Sequence, residues 1–288
     1  MAEARAKLTG IYRFTSIARP IDPAYLTNRA LLIVLPVVGL FGAGLAFVQD
    51  TGGNLLSAAL SAVLVVFAAW ALTRELAPDY SGAAFVALAF AWVANIAFGT
   101  RLVLLPFVAL VLVRVVNRST GLPLRPLDTL GVLGFCAWAA IDMEQPLILV
   151  VATLAFLLDA ILEKPLRRHY LPAAVCLLIF FWMLPGDKGL IDSDLSFRDW
   201  SLIGASALGI ILFVTMNPEP VSYCDISPDR LDPMRVNAGV IVGWLLAVQA
   251  LLSNGRSAWL ETPIWACMMA LLLSLVVRRV SGVRRSWS

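Results

Sequence analysis

The sequence predicts an all-α integral membrane protein, a polytopic bundle of about ten transmembrane helices with both termini in the cytoplasm. Three observations predict it. Of 288 residues, 60% are hydrophobic and only 14% are charged, against about a quarter charged in an ordinary soluble domain. Such a chain lacks the polar surface that would have to cover a water-soluble core. The apolar residues also fall into separate blocks, most of them free of charge and close to the ~20 residues that cross a bilayer. Finally, the basic residues gather in alternate connections between those blocks.

Ten blocks read as spans: 30–48, 54–72, 83–99, 100–116, 127–141, 146–162, 170–185, 200–216, 238–252 and 259–277. They divide the chain into a cytoplasmic N-terminal segment (1–29), a transmembrane domain (30–277) and a basic cytoplasmic tail (278–288). Several blocks are shorter than ~20 residues, so each is expected to borrow a turn from its flanks. The least marked division is Phe98-Gly99-Thr100-Arg101. A kink there in place of a reversal would leave nine spans and put the termini on opposite faces.

Charge favours ten. With the N-terminus inside, 18 of the 22 Lys and Arg fall on the inner face; Arg101, Lys188, Arg198 and Arg256 fall outside. That asymmetry is the positive-inside pattern, and a nine-span arrangement would mix it. It places the chain in the cell (inner) membrane as a multi-pass protein. The formal charge of +3 therefore reflects topology, and the basic face suits anionic lipid headgroups. No basic patch is interleaved with aromatic residues, so nucleic acid is not an expected partner. The four cysteines lack metal-site spacing and read as small apolar residues, not as a zinc site or disulfide framework. Residues 1–29 contain no short apolar core before a small-residue cleavage site, so the first span is expected to stay.

The longest polar interruption on the inner face runs from Asn217 to Asn237 and carries Glu219, Asp225, Asp229, Asp232, Arg230 and Arg235. Asp225 and Asp229 are four apart, as are Glu75 and Asp79 beside Arg74. Two acidic pairs at a cytoplasmic mouth could hold Mg²⁺ carrying a diphosphate, with nearby arginines on the phosphates. That logic is similar to the membrane prenyltransferases, whose Asp-rich motifs are absent here. Against it, Asp79, Asp128 and Asp232 precede helices leaving the cytoplasm, where a carboxylate caps free N–H groups. Proline within each acidic pair also works against helical register.

Asp159 stands apart, about a turn inside the sixth block among apolar residues, on a helix face shared with Glu163. A carboxylate there must turn into the bundle towards a cation, with Arg114, Arg118 or Arg167 in range. It reads either as a coupling or substrate-binding group or as a structural ion pair. His169, the sole histidine, lies in Arg167-Arg168-His169-Tyr170 and reads as part of a solvated basic loop. An echo links Arg19-Pro20-Ile21-Asp22-Pro23 to Arg230-Leu231-Asp232-Pro233. Pro and Asp both favour helix starts, so convergence explains it as well as duplication does.

Three functions stay open: a small secondary transporter of a small-molecule or lipid-like substrate, a membrane enzyme acting on a lipid or isoprenoid (di)phosphate, and a non-catalytic subunit of a membrane complex or homo-oligomer. The span count is similar to that of ten-helix drug/metabolite transporters, a likeness of architecture with no shared motif. The scarcity of groups able to do chemistry favours transport. Under that reading Asp159, Glu163, Arg114 and Arg118 carry substrate or coupling, and no resident metal is required.

Overall fold

The computed structural model describes residues 10–49, 54–98, 104–184, 190–192, 194–216, 219–254 and 262–281. Among them are ten α-helices: α1 (Leu26–Val48), α2 (Leu55–Leu76), α3 (Ser81–Phe98), α4 (Leu104–Asn117), α5 (Pro126–Asp142), α6 (Leu147–Ile161), α7 (Tyr170–Met183), α8 (Phe197–Met216), α9 (Pro233–Asn254) and α10 (Thr262–Ser281). Single 3-10 turns occupy Gly10–Arg13 and Arg167–His169, and no strand forms among the described residues.

Each apolar block becomes one helix, with ends set by local chemistry. The ninth begins at Pro233 instead of 238 because Asp232 caps it, Oδ1 accepting the Arg235 N–H at 2.7 Å, while Pro233 supplies a fixed φ at the first helical position. Asn54 caps α2 by accepting the Leu56 N–H at 2.9 Å. The last helix runs on to Ser281, so Arg278 and Arg279 are helical and not part of a separate tail.

The division between the third and fourth blocks is a reversal. Asn117, closing α4, donates from Nδ2 to the Glu75 carbonyl at 2.7 Å, one residue before α2 ends and six before α3 starts. The start of α3 and the finish of α4 thus share one end of the bundle. Residues 99–103, between them in sequence, lie outside the described residues.

The same end collects the Arg-rich connections 118–125, 162–169 and 219–232 together with the chain before α1; we call it the basic end. The guanidinium of Arg278 stacks 3.4 Å from the centre of the Tyr80 ring there. Both described extremities of the chain therefore lie at the basic end.

Six helices (α1, α2, α3, α8, α9 and α10) are long and apolar enough to cross a membrane. Two of the shorter ones, α4 and α6, are apolar and run through the middle. On α4, Leu105, Val108, Leu112 and Val116 are fully enclosed, and the helix packs on α2, α5, α6 and α9. At the rim, α1 lies along α2, its Gly42 close enough that an added Cβ would come within 2.9 Å of the Ala62 Cβ. Small residues at such a crossing let helix backbones approach. The other face of α1 carries Leu26, Ile33, Leu40 and Phe47, one every seventh residue and 69–76% exposed. A water-soluble surface avoids so long an apolar stripe. An apolar helical bundle of this kind fits a multi-pass membrane protein.

Candidate functional site

The basic end is where α4 and α6 finish, and a helix C-terminus leaves carbonyls unpaired and a negative dipole end. Two arginines meet that need. Arg118, directly after α4, donates from Nη1 to the Lys164 carbonyl at 2.8 Å. Arg235, in the first turn of α9, donates from Nη1 to the Val116 carbonyl and from Nη2 to the Glu163 carbonyl, both at 2.7 Å.

Between these guanidiniums sits Asp159, fully buried. Its Oδ1 accepts from Arg118 Nε at 2.6 Å and Arg235 Nη1 at 2.8 Å. Its Oδ2 accepts from Arg118 Nη2 at 2.9 Å and lies 2.8 Å from His169 Nδ1. The far nitrogen of that ring, Nε2, is 3.0 Å from the Thr129 hydroxyl on α5. One carboxylate thus ties the ends of α4 and α6, the start of α9, the 3-10 turn before α7 and, through histidine, α5. Such a knot forfeits hydration and recovers it through paired, hydrogen-bonded charges.

This geometry revises the expected roles. Arg118 is the Asp159 partner, joined by Arg235 and His169; Arg114 points elsewhere and Arg167 is exposed. Glu163 does not share a helix face with Asp159, because α6 ends at Ile161; its side chain is exposed and it contributes its carbonyl. His169 is not solvated but completely buried. No local pattern foretold this, since its partners lie ten and forty residues away in sequence.

A second cluster forms around Glu75, whose side chain is 1% exposed at the end of α2. Oε1 accepts from Arg114 Nε at 2.9 Å and from Arg19 Nη1 at 3.1 Å. Arg19 also grips Asp225, Nε to Oδ2 at 2.6 Å and Nη2 to Oδ1 at 2.7 Å. Burial disfavours its charge, yet Glu75 and Asp225 outweigh that and raise its pKa above that of a free guanidinium. Arg74 is turned away, over the Trp70 ring and donating to the Thr27 hydroxyl.

The remaining acids are engaged one by one. Asp79 does not cap α3; it accepts the Val221 and Ser222 N–H groups at 3.0 and 2.9 Å and the Ser222 hydroxyl at 2.5 Å. Asp128 holds Ser16, N–H at 2.7 Å and hydroxyl at 2.6 Å on one oxygen. Asp229 is exposed and meets Lys164 Nζ at 2.8 Å, a contact that lowers the acid's pKa and raises the lysine's. Glu75, Asp79, Asp225 and Asp229 therefore do not surround one ion. Among the described residues no three Asp, Glu, His or Cys side chains converge as metal ligands. The divalent-ion arrangement expected from their spacing fails because α2 ends at Leu76 and 222–231 forms a tight loop, with Tyr223 bridged to Arg230.

Residues 12–19 lie across this end like a strap. The Arg125 guanidinium donates to the carbonyls of Arg13 and Tyr12, and the Thr120 hydroxyl to the Ser16 carbonyl at 2.7 Å. Ser16 itself is buried. The sequence marks Arg19 only by its place before Pro20, and nothing in it marks Ser16.

No family model, no curated protein and no solved structure matches this chain. Its function has to be read from its own geometry.

At the opposite end a pocket of about 190 Å³ opens between α1, α2 and α3, lined by Phe41, Gln49, Ser61, Trp92 and Asn95 among others. Phe41 and Trp92 meet edge to face, 5.5 Å between ring centres. Its described lining is mostly apolar, with Gln49, Ser61 and Asn95 as hydrogen-bonding side chains and no charge.

Proposed function

We propose that the protein is a secondary transporter of a small-molecule or lipid-like substrate, crossing the inner membrane ten times with both termini in the cytoplasm. The Asp159 knot is its cytoplasmic latch. What supports this reading above all is that one buried carboxylate, held by Arg118, Arg235 and His169, joins five helical elements at one end while a mostly apolar pocket bearing Gln49, Ser61 and Asn95 opens between α1, α2 and α3 at the other. A bundle closed by ion pairs on one side and open on the other is the arrangement alternating access requires. The separate engagement of the four cytoplasmic carboxylates gives the phosphate-enzyme reading no comparable support.

The test needs no known substrate. Cys224 lies half-buried in the 222–231 loop against Gly121, in the connection that follows Arg118, while Cys136, Cys176 and Cys267 are buried, so maleimide labelling of Cys224 reports opening at the basic end. Asn95→Cys reports the pocket. Asp159→Asn is expected to speed Cys224 labelling and slow labelling at position 95, each by roughly 5-fold or more. Both sites speeding up together would mean loosened structure, and neither changing would mean no latch; either result removes the proposal. The topology is checked separately. Reporters inserted at 51 and at 187 are expected outside, and one fused after 281 inside; finding 187 inside, or the end after 281 on the same side as 51, would sink the ten-span arrangement.

A further inference from the structure

Asp159 and Glu75 are both buried acids paired with two arginines, yet their acceptor capacity differs. The Asp159 oxygens meet three arginine N–H groups and a histidine nitrogen, which leaves little room for anything else. Glu75 takes both of its arginines on Oε1. Its Oε2 meets no donor in good hydrogen-bond geometry, although the Ser119 hydroxyl stands close to the carboxylate. Asn117 Oδ1, on the same side of α2, is buried and unpartnered as well. An unmatched buried carboxylate oxygen is costly unless something supplies a donor.

The cation that completes this cluster also differs in origin. Arg114 comes from α4, whereas Arg19 comes from the strap, threading its guanidinium between Glu75 of α2 and Asp225 of the loop before α9. The Arg19 and Asp225 side chains are each 24% exposed, so the gap they fill opens to water on one side. Remove that guanidinium and Glu75 keeps Arg114 while Asp225 loses the arginine it grips, with Arg74 held aside by Trp70 and Thr27.

We propose that Glu75 and Asp225 form an acceptor site for an organic cation with planar N–H donors, a guanidinium or amidinium group, and that Arg19 occupies it as a tethered stand-in. Two carboxylates facing one planar fork is the geometry that guanidinium binds best, and a compact ammonium fits it less well. The strap then holds the site shut, and a free cation competes with it. That such a cation is also the cargo rests on the transport reading; occupancy of the site does not.

The experiment is a chemical rescue on the full-length protein in detergent. Arg19→Ala lowers the melting temperature, and millimolar methylguanidinium is expected to restore about 2–4 °C of it in a saturable way. Tetramethylammonium, which carries no N–H donor, is expected to restore nothing at equal ionic strength. Adding Glu75→Gln to Arg19→Ala is expected to abolish the rescue. If Arg19→Ala yields only aggregate, the yield of monodisperse protein extracted with and without methylguanidinium is read instead, and recovery with it supports the site. No rescue in either readout, an equal effect of tetramethylammonium, or rescue that survives Glu75→Gln would each overturn the proposal. Because the labelling test at Cys224 and position 95 involves neither Arg19 nor Glu75, failure here leaves the latch standing.

Discussion

Asp159→Ala is expected to cost about 3–5 kcal/mol of stability, since removing one partner strands buried charge on the others. Arg118 and Arg235 would face each other with no anion between them, in a site too enclosed for water to replace the carboxylate. The readout is chemical or thermal unfolding of the purified protein in detergent. Combining Asp159→Leu with Arg118→Leu and Arg235→Met removes the stranded charges and is expected to recover part of the loss. Recovery stays incomplete because the carbonyls of Val116, Glu163 and Lys164 lose their donors. A cost under ~1 kcal/mol for the single change would place Asp159 among solvated surface pairs and refute the enclosed arrangement.

Gly239→Ala is expected to cost about 1–3 kcal/mol through overpacking. A methyl group there would sit 2.1 Å from Asn117 Oδ1 and 2.9 Å from its Cγ. Asn117 cannot step aside freely, because its Nδ2 is bonded to the Glu75 carbonyl. The conflict is therefore passed to the end of α2 and to the Glu75 cluster. Asn117→Ala removes the obstacle, so the double variant should be less destabilised than the two single changes added together. Strict additivity would show that the two residues do not meet.

Much of the fold was legible because lipid-spanning sequences advertise themselves by length and apolarity. Every block from Leu26 to Ser281 became a helix, and the Asp232-Pro233 pair marked the start of α9 through known capping chemistry. The basic end was legible in composition and opaque in pairing. Asp159 could be singled out as a carboxylate that must find a cation, but the choice of Arg235 over Arg114 depends on which helices neighbour α6, and no periodicity records that. The acidic pairs at 75/79 and 225/229 misled for a definite reason. Spacing of four implies a shared face only inside a helix, and both pairs straddle chain reversals. His169 misled because a basic neighbourhood usually signals solvent, whereas here Arg167 and Arg168 remain outside while the ring alone turns in.

The long reach of these contacts has a bearing on biosynthesis. Arg19 and Asp225 are 206 residues apart, and Arg235 emerges later still, so Asp159 is made well before one of its two arginines and Arg19 well before one of its two carboxylates. A nascent chain halted before residue 219 would hold Asp159 without Arg235 and Arg19 without Asp225. Closing so wide a loop adds only a logarithmic entropic term. What is delayed is the arrival of the partners. The Asp159 knot is thus completed only when the ninth helix delivers its arginine, and chains terminated before it are expected to be conspicuous to membrane quality control.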